Sequence, residues 1–209
     1  MLALPERGEA TRVVLVRHAE TDESARGRCY GRLDVRLSPR GHRQAQALAR
    51  GLADHPLAAV YASPLSRALN TARPIAAEQG LEPLVVDALR ELDFGEVEGL
   101  SYDEIAAERP DLYRAWMEEP AGVRFPGGEA LADLCARVLP VLAQLRARHE
   151  REAVAVVAHG GVIRVGLAEA LGLADTALFR LDQAAGGVSV IDWLDGVPIV
   201  RVVNAVPAR

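Results

Sequence analysis

Short apolar runs alternate along this chain with longer stretches in which apolar positions recur every three or four residues. Residues 12–16, 57–62 and 153–158 are short runs rich in Val and Ala, with the length and composition of strands buried on both faces of a sheet. Between them run helical stripes: Ala45, Leu48, Ala49 and Leu52; then Leu65, Ala68, Leu69, Ala72 and Ile75; then Leu131, Leu134, Cys135, Val138, Leu142 and Leu145. Ser38-Pro39 and Ser63-Pro64 place a capping hydroxyl and a first-turn proline at the head of the first two helices. Ser101 and Glu104 match a capping box, and residues 162–171 predict a further helix. A brief strand is predicted at 84–86. Residues 188–194 and 199–203 flank Asp195-Gly196 and predict an edge hairpin with a type I′ turn.

This alternation predicts an α/β fold: one domain over residues 1–209, opening on a short tail at 1–10, with helices on both faces of a central sheet. The stretch 95–127 breaks the pattern. There Pro110, Pro120 and Pro126 interrupt a region containing Tyr113, Trp116 and Phe125, which predicts an excursion over the sheet able to act as a lid.

Polar residues gather where the apolar runs end: at Arg17-His18, from Ser63 to Arg67, and at His159-Gly160-Gly161. Open α/β sheets bind ligands at the carboxyl ends of parallel strands, so three such junctions can converge. Arg17-His18 fits a phosphoryl site, in which a guanidinium fork binds oxygens and a neutral imidazole attacks phosphorus; it equally fits a surface arginine beside a buried histidine. Arg67 either reaches back into the pocket or faces solvent. His159 either donates to a phosphate or is a satisfied core histidine, while Gly160 and Gly161 permit a ligand to approach the backbone. Glu91, in a loop beside Gly95, is the leading carboxylate for protonating a departing alkoxide.

A chain of 209 residues, 50% hydrophobic and 25% charged, has the composition of an ordinary globular protein. Its net charge of -5 argues against a general nucleic-acid binder. Arg26, Arg28, Arg32, Arg36, Arg40 and Arg43 nevertheless form a local basic mouth suited to small anions. The chain has no lysine, which excludes Schiff-base chemistry. Cys29 and Cys135 are too few for a disulfide framework or a metal cluster. Cys135 sits on an apolar helical face, whereas Cys29, in a polar loop, is open to a reactive or a spectator role. With no long apolar run, neither a signal peptide nor a membrane span is expected, and the expected location is cytoplasmic.

In its ordered motifs the chain resembles the histidine phosphatase superfamily, also called phosphoglycerate-mutase-like. The matching segments are Leu15-Val16-Arg17-His18-Ala19-Glu20-Thr21, Gly31-Arg32-Leu33-Asp34, Leu37-Ser38-Pro39-Arg40-Gly41, and Ser63-Pro64-Leu65-Ser66-Arg67-Ala68. They continue through Glu91, Gly95, Glu98-Gly99, Pro126-Gly127-Gly128-Glu129 and Ala158-His159-Gly160-Gly161-Val162-Ile163-Arg164. The resemblance implies a mostly parallel sheet with an antiparallel edge strand, and a phosphomonoester hydrolase that uses neither metal nor cofactor. It implies catalytic roles for His18, as the phosphorylated nucleophile, and for Glu91, as proton donor and later base. Arg17, Thr21, Ser24, Arg28, Arg67, His159 and Gly160 are the expected substrate-binding residues.

Four positions depart from the commonest family pattern: Ala19 for Gly, Ser24 for a phosphate-binding Asn, Arg36 for Pro, and Val97 for Trp. A mutase needs a larger cap and a substrate-binding lysine, so a phosphatase is favoured. The Gly27-Arg28-Cys29-Tyr30-Gly31-Arg32-Leu33-Asp34 stretch is most similar to the α-ribazole phosphatase and broad-specificity phosphatase group. Tyr30, Trp116 and Phe125 are candidates to stack on a benzimidazole-like ring. The alternatives are a sugar-phosphate or phosphoglycerate-type enzyme, with Arg28, Arg32 and Arg36 contacting a second anionic group, and a non-catalytic phosphate-binding protein of the same fold. The expected partner is a small phosphate ester, with no nucleic acid and no membrane, and a homodimer is compatible with the valine-rich final strands.

Overall fold

The structure, a computed structural model, describes residues 4–206; the first residues of the expected tail lie outside them. Six strands form one sheet: β1 (Thr11–Arg17), β2 (Ala59–Ala62), β3 (Leu84–Val85), β4 (Ala153–Ala158), β5 (Val188–Leu194) and β6 (Val197–Ala205). Their spatial order is β3-β2-β4-β1-β5-β6. The first four are mutually parallel, and β5 and β6 are antiparallel, so the expected edge strand is a two-stranded hairpin. Its turn, Asp195-Gly196, has positive φ at both residues, as a type I′ turn requires. The helices are α1 (Pro39–Leu52), α2 (Ser66–Glu78), α3 (Tyr102–Glu108), α4 (Pro110–Glu118), α5 (Leu131–Arg148) and α6 (Gly160–Leu171).

Alternation along the buried strands explains the three layers. On one face Val14, Val16, Val60, Ala155 and Val157 pack with the apolar stripes of α1 and α2, including Leu48, Leu52, Ala72 and Ile75. On the other, Val13, Leu15, Val154, Val156 and Ala158 pack with Leu134, Val138, Ile163 and Leu167 of α5 and α6. Helices α3 and α4 form the excursion over this second face. Ser101 and Glu104 close the expected capping box, and Pro110, far from only breaking a helix, opens the next one at its first turn. Phe94, Trp116 and Phe125 pack against one another and join the core on this second face.

One predicted helix start is displaced. Ser38 caps α1 by accepting from the Gly41 N–H, but Ser63 does not cap α2, which begins at Ser66. The Ser66 N–H is instead satisfied by the Asp34 carboxylate at 2.7 Å, which frees the Ser63 hydroxyl for another partner.

Candidate active site

Strand register builds the site. Arg17 lies opposite Ala158 across the β1–β4 pair, so the next residues of each strand, His18 and His159, leave the sheet side by side. The His18 N–H still donates to the Ala158 carbonyl at 2.9 Å, and the two imidazole centroids are 5.3 Å apart. In the same way Ala62 lies opposite Val157 across β2–β4, which delivers Ser63 to His159; Ser63 Oγ and His159 Nε2 are 2.8 Å apart. Helices α1 and α6 leave the adjacent strands β1 and β4 toward opposite faces, opening a crevice at their carboxyl ends.

The tautomer of His18 follows from its partner. Nδ1 lies 2.8 Å from the Ala19 carbonyl oxygen, which can only accept, so Nδ1 carries the hydrogen and Nε2 bears a free lone pair. Burial, and then the charges of Arg67 and Arg17, push its pKa well below the usual histidine value. His18 is therefore a neutral imidazole with an available nucleophilic nitrogen. His159 is driven the same way, by burial first and then by Arg67, His18, Arg17 and Arg137. It is neutral, and its Nδ1 has no protein partner.

Two guanidinium groups complete the floor. Arg67 on α2 is fully buried and donates to the carbonyls of Leu33 at 2.7 Å and Gly31 at 2.5 Å. The Tyr30 ring lies beneath it, 5.1 Å from the guanidinium carbon, with its hydroxyl 3.0 Å from Thr21 Oγ1. Arg17 is anchored through Nη1 to the Gln183 carbonyl. Both arginines leave a buried Nε without a partner, as His159 leaves its Nδ1. A buried polar atom without a partner is costly, and these three lie around one crevice, with the buried side-chain amide of Gln183 also unpartnered.

Glu91 stands at the amino end of α6, its carboxylate accepting from Gly161 N–H at 3.0 Å and Leu92 N–H at 2.9 Å. A Cβ on Gly161 would lie 2.3 Å from Glu91 Oε1, so glycine is the residue that admits the carboxylate. A Cβ on Gly160 would lie 3.0 Å from Arg164 Nη1, 3.8 Å from Arg17 Nε and 3.9 Å from Glu91 Oε2, which marks these groups as neighbours. Above them opens a cavity of about 470 Å³, walled by Leu92, Phe94, Tyr102, Met117 and Phe179 and by two further arginines, Arg28 and Arg164. A second cavity of about 990 Å³ shares Arg17, His18, Arg28 and Tyr30 and is lined by Thr21, Arg26, Arg40 and Arg43 together with Glu20, Asp22 and Glu23.

Of the residues expected from sequence, Arg17, His18, Arg67, Glu91, His159 and Gly160 come together, and Arg28 and Thr21 line the adjoining space. Ser24 does not join them. It lies exposed in a single 3-10 turn whose backbone bonds to Asp22, and it lines neither cavity. The basic mouth is partly neutralised, since Arg28 pairs with Glu104, Arg32 with Asp93 and Glu129, and Arg40 with Glu20. Cys29 is buried, and burial reinforced by Glu98 and Glu91 pushes its thiol up to about 12, so the reactive option closes. Tyr30, Trp116 and Phe125 all line the cavity, although Trp116 and Phe125 are largely buried and Tyr30 lies under Arg67; Tyr102 and Phe179 are the more exposed aromatics of the same lining. Sequence reasoning passed over Ser63 as a ligand of His159, because a cap was the simpler role for a Ser-Pro pair. It also passed over Arg164 as a lining residue, although its position four residues after Gly160 on the same helix was available to find it.

Among the described residues, no three His, Cys, Asp or Glu side chains converge as a metal centre would require, and no helix is long and apolar enough to cross a membrane. Comparison with known proteins then decides the family: residues 13–206 match the profile described as histidine phosphatase superfamily (branch 1). The chain belongs to this superfamily. As a histidine phosphatase it is a metal-independent phosphomonoester hydrolase with a histidine network at its active site. It is 40% identical over 162 residues to phosphoserine phosphatase 1 of Hydrogenobacter thermophilus, covering 78% of this chain and 77% of that protein. The native structure of a mycobacterial glucosyl-3-phosphoglycerate phosphatase superposes with a TM-score of 0.84 at 31% identity, covering 94% of this chain and 99% of the other. The α-ribazole phosphatase of Shigella flexneri gives 0.85 at 28% identity, covering 95% and 98%.

Proposed function

We propose that this histidine phosphatase hydrolyses small phosphate monoesters through a phosphohistidine on His18, with residues 95–127 as the lid of a single catalytic domain. The unpartnered Nε of Arg17 and of Arg67 beside a neutral His18 carries the reading. Nε2 of His18 attacks phosphorus in line, while Arg17, Arg67 and His159 hold the equatorial oxygens as charge redistributes. Glu91 protonates the departing alkoxide. Water then attacks phosphohistidine, Glu91 accepts its proton, and inorganic phosphate leaves with His18 neutral again.

The leaving group we assign is one with an apolar ring, α-ribazole phosphate first among candidates, because Leu92, Tyr102, Met117 and Phe179 wall the cavity above the phosphate floor. Arg28 and Arg164 on the same wall favour a second reading, an ester bearing a carboxylate. Phosphoserine and glucosyl-3-phosphoglycerate, named in the relatives' activities, belong to that class. Acid-quench labelling tests the chemistry: wild type forms an acid-labile phosphoprotein, and His18→Ala loses both label and turnover. Normal turnover in His18→Ala would refute the assignment. Comparing kcat/KM for α-ribazole phosphate, phosphoserine and phosphoglycerates decides the class, with equal slow rates on all three marking a generalist.

A further inference from the structure

Arg137 lies on α5, outside the reacting groups, and all five of its N–H donors are engaged. Nη1 donates to the carbonyls of Ala88 and Arg90, each at 2.7 Å. Nη2 donates to the Glu91 carbonyl at 2.9 Å and to Glu129 Oε2 at 2.8 Å, and Nε donates to Glu129 Oε1 at 2.9 Å. One side chain thus ties three backbone carbonyls of the loop that bears Glu91 to a long helix. Glu129 is itself held, accepting from the Asp93 N–H at 3.0 Å and from Arg32 at 3.2 Å. Burial works against its charge, but the Arg137 hydrogen bond, the Asp93 N–H and the charges of Arg137 and Arg32 outweigh it and hold its carboxyl below the usual range.

The clamp has a chemical address. The Glu91 segment is irregular, following a single 3-10 turn at Asp87–Leu89, and has no ladder of its own to fix its height above His18. We infer that Arg137, with Glu129 as its counter-ion, is a positioning residue that sets where the Glu91 carboxyl meets the leaving oxygen. The inference rests on Glu91 being the proton donor. A lysine cannot reproduce the clamp, because a point charge lacks the planar fork that serves three carbonyls and a carboxylate at once. Misplacement by about 1 Å costs on the order of 100-fold in rate.

A proton donor matters for a basic alkoxide and little for a stable phenolate, so a displaced Glu91 has a signature that general loosening of the fold lacks. Because kcat/KM reports P–O cleavage and not the hydrolysis of phosphohistidine common to all esters, it is the quantity to compare. Wild type, Glu91→Gln, Arg137→Lys and Glu129→Gln are assayed on a simple alkyl phosphate and on para-nitrophenyl phosphate. Glu91→Gln is expected to lose about 100-fold on the alkyl ester and little on the nitrophenyl ester. Arg137→Lys and Glu129→Gln are expected to show the same selectivity at about ten-fold, and a selective loss in either folded variant supports the inference. Equal losses on both esters, or none, in both variants while Glu91→Gln stays selective overturn the positioning role. A non-selective Glu91→Gln overturns the proton-donor reading and the inference with it.

Discussion

His18 and His159 are neutral because the fold buries them beside arginines, and that has a cost in acid. The unfolded chain protonates both near the ordinary histidine pKa of about 6.5, whereas the folded chain resists until well below it. The unfolded state therefore binds more protons in this window, so stability is intact above about pH 6.5 and falls as pH drops toward the depressed folded values. Each histidine contributes a slope that grows to at most about 1.4 kcal/mol per pH unit as pH falls below about 6.5. Urea unfolding between pH 7 and 5.5 should show this slope, reduced by about half in His159→Asn. An unchanged slope in that variant would mean that His159 titrates normally in the folded protein. Ser63 enters the same account: once Asp34 serves the α2 terminus, its hydroxyl is available to satisfy one nitrogen of the buried imidazole.

At the scale of elements, the strand tips and helix stripes were legible, because periodicity reports which side chains meet the core. Residues 12–16 and 153–158 match β1 and β4 to within a residue at each end. The start of α2 was not legible, since the Asp34 carboxylate that serves it comes from 32 residues upstream and leaves no local trace. The Arg137 clamp was hidden for a related reason; besides Glu129, its partners are backbone carbonyls, which every residue has. Gly161 shows how an element edge can be tested apart from its stability. Its φ is not in the left-handed region, so alanine suits the helix backbone and by propensity stabilises it by up to about 1 kcal/mol. The added Cβ, however, falls 2.3 Å from Glu91 Oε1 and 3.0 Å from Leu134 Cδ2. Gly161→Ala is therefore expected to keep its unfolding free energy in urea within about 1 kcal/mol of wild type while kcat/KM falls about 100-fold. A parallel loss of both would show that the contact with Leu134 dominates.

At the scale of the molecule, chemistry occupies one end of the sheet and an ion-pair lock the other. Asp192 on β5 is fully buried and takes both oxygens to Arg12 of β1, at 2.6 and 2.8 Å, with Arg201 of β6 adding a third bond at 3.0 Å. The carboxylate thereby fixes the register of three strands. Removing it leaves Arg12 buried and unpaired, so Asp192→Ala should cost about 3–5 kcal/mol in urea unfolding while kcat of the folded fraction is unchanged. A loss of kcat without loss of stability would place Asp192 in the chemistry instead. The fold class could be read from the strand–helix alternation, and Ser24 marks the limit of carrying a motif over by position. A turn bonded to Asp22 keeps it on the surface, outside the cavity lined by Arg17, His18 and Arg67.

The pairing of β1 with β4 has a further consequence. Because His18 and His159 leave neighbouring strands in the middle of the sheet, with the His18 N–H bonded to the Ala158 carbonyl, local motion of residues 95–127 leaves their spacing unchanged. Denaturant should thus separate the two imidazoles only as the sheet itself melts, and any insertion tolerated within one of the two strands must be compensated in the other.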